Sequence, residues 1–135
     1  CRCKTLTLHE DTVESLVYSQ DLLFSASWDH TIRVVYAASH TPIVAYQPPP
    51  STACQAWDRE TFECTYTLQC SADVRELLVD GSRLYCGCGN GNIQVWDLET
   101  RKCLLSQHAH EEDVLALRMC RGRLFSSGSD TKVKV

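Results

Sequence analysis

The 135-residue sequence predicts an all-β fold built from repeated units. Residues 74–95 and 114–135 align without a gap over most of their length, and their first residues lie 40 positions apart. In each copy, short runs of alternating apolar and polar residues are separated by turn signals such as Asn90-Gly91. Several short strands joined by turns in each repeat favour an all-β domain, and no stretch shows a convincing helical period.

The length of the repeat narrows the fold class further. A third copy opens at Val13, and Trp57 precedes Trp96 by 39 residues. A period of about 40–45 residues is typical of a propeller blade, in which four strands form one sheet. The sequence therefore predicts a partial β-propeller made of four-stranded antiparallel blades.

Composition excludes several classes of partner. A net charge of −4 argues against nucleic acid and anionic membranes, since both require a clustered excess of Lys and Arg. No apolar stretch approaches the ~20 residues that a membrane span needs. Nine cysteines are present without a single C-x-x-C pair, so we expect no metal site. Reduced, mostly buried thiols are typical of cytoplasmic or nuclear proteins, and we expect this chain in one of those compartments.

Short motifs recur in the copies. Trp57-Asp58 and Trp96-Asp97 are Trp-Asp dipeptides, while residues 25–29 read Ser-Ala-Ser-Trp-Asp and residues 126–130 read Ser-Ser-Gly-Ser-Asp. A His also stands four residues before the Val that opens two of the copies. Together these motifs resemble the WD-repeat family, and the resemblance covers nearly all of the chain except roughly residues 37–53. The two histidines are His9 and His110.

In that family, a His, a Ser or Thr, an Asp and a Trp form a chain of hydrogen bonds across each blade. Such polar groups are costly to bury singly, but linked together they satisfy one another. The resemblance therefore implies a structural network at His9, Ser25, Asp29, Trp57, Trp96, His110, Ser126 and Asp130.

The network is incomplete in two copies. In the middle repeat, Cys70, Cys86 and Asn90 stand where the resemblance places His, Ser and Asp. In the first repeat, Val35 stands where Trp belongs. We expect hydrophobic packing to hold the middle blade instead.

The His, Ser and Asp set also invites interpretation as a catalytic triad. The same trio recurs at the same spacing in two repeats, as a structural bond would, and no Gly-x-Ser-x-Gly elbow is present. Residues 87–91, Gly-Cys-Gly-Asn-Gly, lack the Gly-x-Gly-x-x-Gly spacing of a nucleotide site. We therefore expect no catalytic residues, no cofactor and no enzymatic activity.

The repeat boundaries leave one blade short. Val35 precedes Trp57 by only 22 residues, where a full blade needs about 40. Either that blade is degenerate or the sequence omits a stretch. We expect a fragment of one propeller, completed by blades from the same or another chain. The predicted divisions are the end of a blade over 1–8, a first repeat over 9–47 with an outer strand near 43–46, a truncated repeat over 48–69, the middle repeat over 70–107 and an incomplete last repeat over 108–135.

The family resemblance implies a non-catalytic scaffold that binds peptides or protein loops on the propeller rim. Recognition residues lie on loops held by a rigid frame. Trp28 is the foremost candidate, because an aromatic residue in a tight turn is poorly placed for core packing and Trp is enriched at binding hot spots. Acidic residues in the surrounding loops favour a partner that carries Lys or Arg. The expected rim positions are Thr12, Glu14, Trp28, Asp73, Arg75, Asp113 and Leu115.

Two other functions stay open at this point. One is a substrate-recognition propeller within a larger enzyme, such as a ubiquitin ligase, a kinase or a motor protein. The other is RNA binding through the rim, against which stand the net negative charge and the small number of candidate aromatic residues.

Overall fold

The computed structural model of the chain describes residues 5–36 and 64–135. Within these residues, eleven β-strands form three antiparallel sheets, two with four strands and one with three. The described part contains no helix that is long and apolar enough to cross a membrane. The predicted all-β fold of four-stranded antiparallel blades is confirmed.

Sequential strands pair in each sheet, as in a meander. The first sheet consists of β1 (Val13–Ser19), β2 (Leu22–Ser27), β3 (Thr31–Tyr36) and β4 (Cys64–Gln69). The second consists of β5 (Val74–Asp80), β6 (Arg83–Cys88), β7 (Asn92–Asp97) and β8 (Cys103–His108). The third consists of β9 (Val114–Cys120), β10 (Arg123–Gly128) and β11 (Val133–Lys134).

Two-residue turns join the first two strands of each sheet. In the first sheet, Gln20 and Asp21 both have positive φ, at 51° and 62°, and in the third sheet Arg121 and Gly122 have φ of 49° and 73°. Positive φ at both central residues is the mark of the type I′ turn, whose twist matches that of the flanking strands. These turns therefore fix the register of the hairpins that begin the two blades.

The strand β4 corrects one expectation from the sequence. The repeat boundaries predict that residues 64–69 belong to a truncated repeat, but in the structure they pair with β3 and complete the first blade. Leu68 lies opposite Ile32 in this ladder, and both side chains are buried in one core. These residues therefore do not belong to a separate blade. Residues 43–46 and Trp57 lie outside the described residues, and the other repeat boundaries stay predictions.

The blades pack through the first strand of each following sheet. Val74 and Leu77 of β5 are buried in a core shared with Phe24 and other residues of the first blade. The equivalent Val114 and Leu117 of β9 are buried in a second core, against the middle blade. The same pair of positions therefore forms both contacts between blades.

The first blade has an unpaired apolar face at the same positions. Val13 and Leu16 of β1 correspond to Val74 and Leu77, yet they are 47% and 62% exposed. Since the equivalent residues are covered by a neighbouring blade in both other sheets, this face fits assembly with a further blade.

We expect Leu77→Ala to destabilise the intact propeller by about 2–5 kcal/mol, because it opens a cavity between two blades. The control is Leu115→Ala, in which an exposed leucine of β9 is truncated and a change within about 0.5 kcal/mol is expected. Equilibrium denaturation of the two variants measures the difference. Equal denaturation midpoints would contradict the assignment of Leu77 to the contact between blades.

Candidate functional site: the rim of three adjacent blades

Equivalent turns lie at the same end of all three blades. The backbone N–H of Trp28 donates to the Thr12 carbonyl at 3.0 Å, and that of Gly89 donates to the Asp73 carbonyl at 2.9 Å. In the third blade, Ser129 donates to the Asp113 carbonyl at 2.9 Å. Each bond ties the turn after the second strand to the residue just before the first strand, which defines one rim.

Arg75 connects the rim positions of three blades. Its Nε lies 2.9 Å from Asp73 Oδ2, its Nη2 lies 2.9 Å from Asp113 Oδ2, and its Nη1 lies 3.8 Å from Glu14 Oε1. The Nε contact is an ion pair rather than an aligned hydrogen bond, since the buried Nε of Arg75 has no hydrogen-bond partner. The four side chains are 25–34% exposed, so solvent screens their attraction.

The guanidinium of Arg75 also stacks on Trp28. The Arg75 Cζ atom lies 4.7 Å from the centre of the Trp28 ring, which is a cation–π contact. Trp28 keeps 39% of its surface exposed. We name Glu14, Trp28, Asp73, Arg75 and Asp113 the rim cluster.

The structure brings five of the seven expected rim residues into this one cluster. Of the other two, Thr12 receives the backbone bond from Trp28, and Leu115 is exposed on β9 at the position equivalent to Arg75. Sequence reasoning identified the positions but missed their mutual contacts. The signal that could have suggested them is that Arg75 is the single basic residue at rim positions that include Glu14, Asp73 and Asp113.

A glycine allows the carboxylate of Asp73 to reach its place in the cluster. A Cβ atom added at Gly89 would collide with the Asp73 carboxylate. The carboxylate therefore lies directly against the backbone of the turn, where only glycine leaves room for it.

Polar networks hold the rim turns of the first and third blades. His9 Nδ1 lies 2.8 Å from Asp29 Oδ2, and His9 Nε2 lies 2.7 Å from Ser25 Oγ. In the third blade, both distances from His110, to Asp130 Oδ1 and to Ser126 Oγ, are 2.9 Å.

Each aspartate of these networks also accepts a backbone bond from the loop that precedes the first strand. Glu10 N–H donates to Asp29 Oδ2 at 3.2 Å, and Glu111 N–H donates to Asp130 Oδ2 at 3.1 Å. Because Asp29 directly follows Trp28 in the chain, the network of the first blade also fixes the turn that carries Trp28.

The carboxyl of Asp130 is kept ionised by its bonds. Burial by itself would raise its pKa, but the hydrogen bonds from His110 and from the Glu111 and Lys132 backbones lower the pKa to about 2. Burial would also raise the pKa of Asp29, but the hydrogen bonds from Thr31 and His9 outweigh this effect and hold its pKa well below the ordinary value.

The middle blade has thiols where the other two have the network. Cys70 and Cys86 are buried in the hydrophobic core together with Trp96. Burial raises the pKa of the Cys86 thiol, and raises that of Cys88 to about 12, so both stay protonated. Trp96 Nε1 is buried without a hydrogen-bond partner, and Asn90 accepts only a local bond from the Asn92 backbone. Packing therefore stabilises this blade.

Three further expectations concern Trp57, the burial of the cysteines and the absence of a metal site. Trp57 lies outside the described residues. Of the described free cysteines, Cys70, Cys86 and Cys88 are buried, whereas Cys103 and Cys120 are exposed. Among residues 5–36 and 64–135, no group of three or more His, Cys, Asp or Glu side chains is arranged to hold a metal ion.

Comparison with known proteins agrees with this architecture. A family model described as "WD domain, G-beta repeat" matches residues 1–35 and 62–97, just over half of the chain. The chain is also similar in fold to the crystal structure of the WD40 beta propeller domain of Doa1, with a TM-score of 0.67 and 21% identity over 93% of this chain and 37% of that one. The chain thus has the propeller fold, and it belongs to the WD-repeat family.

Two curated relatives are much longer than the region they share with this chain. WD repeat-containing protein 90 of Xenopus tropicalis is 37% identical over 51 residues, which are 38% of this chain and 3% of the relative. Autophagy-related protein 16 of Arabidopsis thaliana is 27% identical over 135 residues, which are 93% of this chain and 22% of the relative. The chain therefore spans less than a quarter of either relative.

We expect Ser126→Ala to lower the stability of the intact propeller by about 1–3 kcal/mol, because His110 would lose a buried partner. Ser127→Ala is the matched control, since this neighbouring side chain is less buried and should tolerate the change. Urea denaturation of both variants provides the comparison. If the two midpoints shift equally, the His110–Ser126 bond is not what stabilises the blade.

Acid should weaken the propeller through Asp130. Its native pKa of about 2 lies below its ordinary value of 3.8. Asp130 therefore stabilises the fold above about pH 4, and this contribution is lost as the pH falls towards 2. Asp130→Asn should flatten the fall in denaturation midpoint between these pH values, whereas Asp80→Asn, at the exposed end of β5, should not. Identical pH profiles for wild type and Asp130→Asn would refute this account.

Proposed function

We propose that this chain belongs to a non-catalytic scaffold that binds peptides or protein loops on the propeller rim. The observation that carries the proposal is the rim cluster itself. It joins side chains from three blades through Arg75, which stacks on Trp28, and Trp28 is 39% exposed. Interface hot spots are enriched in Trp and Arg, and here Trp28 lies on a turn and Arg75 near the start of β5, both held by a rigid frame.

The buried histidine networks support a non-catalytic role. Ser25 and Ser126 have the distances to histidine that a nucleophile needs, but both are buried within their blades. A nucleophile must reach its substrate, and these two residues are only 3% and 5% exposed. Their duplication in two blades fits a structural bond better than a reaction centre.

Charge and thiol chemistry support the expected partner class and compartment. The rim cluster sets three carboxylates against one guanidinium, which disfavours an RNA backbone. Two of the described cysteines, Cys103 and Cys120, are exposed free thiols, which suit a reducing compartment such as the cytoplasm or nucleus. A recognition propeller within a larger enzyme would use the same surface.

We expect Trp28→Ala in the full-length protein to weaken partner binding by about thirtyfold, because a Trp hot spot contributes about 2 kcal/mol or more. The matched control is Leu104→Ala, which truncates a 53% exposed leucine on the outer strand β8. Affinity capture with quantitative mass spectrometry would identify the partners of wild type, and titration of each purified partner would give the affinities.

The two variants separate the rim from the outer side of the blades. A folded Trp28→Ala variant that keeps every partner at unchanged affinity would contradict the proposed function. Loss of partners in Leu104→Ala alone would place the binding surface on β8 instead.

A further inference from the structure

The rim cluster holds an excess of negative charge. Three carboxylates, those of Glu14, Asp73 and Asp113, face the single guanidinium of Arg75, so the cluster keeps a formal charge of −2. Further exposed acids lie in the two loops that lead into the rim strands. They are Glu10, Asp11 and Glu112, together with Glu111, which pairs with Lys132 at 3.0 Å.

The protein's own Arg75 shows how the cluster accommodates a cation. Its guanidinium lies over the face of Trp28 at 4.7 Å, and it places one nitrogen 2.9 Å from Asp73 and another 2.9 Å from Asp113. An aromatic face beside carboxylates is a favourable environment for a guanidinium or an ammonium group. Trp28 and the charged side chains around it therefore form a surface with a preference for cations.

The contacts that hold Arg75 are incomplete. Its Nε is buried without a hydrogen-bond partner, and its Nη1 lies 3.8 Å from Glu14. A buried donor without an acceptor is unfavourable. Moving Arg75 aside would relieve this donor, and the ion pairs with Asp73 and Asp113 that it would break are partly exposed and therefore weak.

Other occupants fit this surface less well. The described residues contain no group of His, Cys, Asp and Glu side chains arranged to hold a metal ion. An acidic partner would be repelled by the three carboxylates of the cluster. It would also have to compete with them for the single guanidinium.

We propose that the rim cluster binds an Arg or Lys side chain of an extended protein segment. The incoming cation stacks on Trp28 and pairs with Asp113 and Glu14, while Arg75 is displaced towards solvent. Arg75 is thus an internal competitor that sets the affinity for the partner. This inference rests on the proposed function and adds to it the chemistry of the partner.

The test uses the full-length protein and a library of random peptides at about physiological salt, where the Debye length is about 8 Å. Enriched sequences should carry Arg or Lys at one shared position. Replacing that residue by citrulline in an enriched Arg peptide removes the charge and keeps the shape, and should weaken binding by about tenfold or more.

Variants of the protein test the role of each group. Arg75→Gln should strengthen binding of the basic peptide by about two- to fivefold, because it removes the competing cation. Asp113→Asn should weaken it by a similar factor, whereas Asp80→Asn, at the far end of β5, should leave it unchanged. If Arg75→Gln proves unstable, Arg75→Lys, which lacks the planar fork, should also bind the peptide more tightly.

The outcomes distinguish this inference from the proposed function. Enrichment of acidic peptides, or loss of peptide binding in folded Arg75→Gln, would overturn the basic-partner proposal while leaving the rim as a binding surface. Peptide binding that is the same in wild type and Trp28→Ala would overturn both.

Discussion

The packing of each blade's first strand against the preceding blade is the interaction on which the rest of the structure depends. Val74 and Leu77 fill one contact between blades, and Val114 and Leu117 fill the next. Protein interiors are densely packed and resist small displacements. These side chains therefore set how far apart and at what angle neighbouring blades lie, and so decide which rim residues meet. Arg75 reaches carboxylates on both sides because β5 is held between β1 and β9.

The three blades secure their rim turns in two different ways. In the first and third blades, a buried histidine links a serine to an aspartate, and the aspartate also binds the backbone of the preceding loop. The middle blade has protonated thiols and a tryptophan in its core instead, and its turn is fitted to Asp73 through Gly89. Polar networks and apolar packing thus support the same order of strands and equivalent rim turns in neighbouring repeats.

The rim and the frame beneath it differ in how firmly their charges are held. Asp29 and Asp130 lie in networks with a buried histidine, and their hydrogen bonds hold the carboxyl pKa values low. The ion pairs of Arg75 are partly exposed, and its buried Nε has no hydrogen-bond partner. Exposed ion pairs contribute little to stability, so the contacts of Arg75 can rearrange while the frame stays unchanged.

The sequence by itself determined the features that depend on spacing within one repeat. The all-β class follows from the repeated alternating pattern. The histidine networks around Ser25 and Ser126 and the expected rim positions follow from the resemblance of the recurring motifs to the WD-repeat family, and each network lies within a single copy. The tertiary structure decided what depends on contacts between distant segments. The pairing of β4 with β3 and the meeting of Arg75 with Trp28 and Asp113 join different parts of the chain. No local spacing specifies such contacts, since they arise only when the packed blades bring these side chains together.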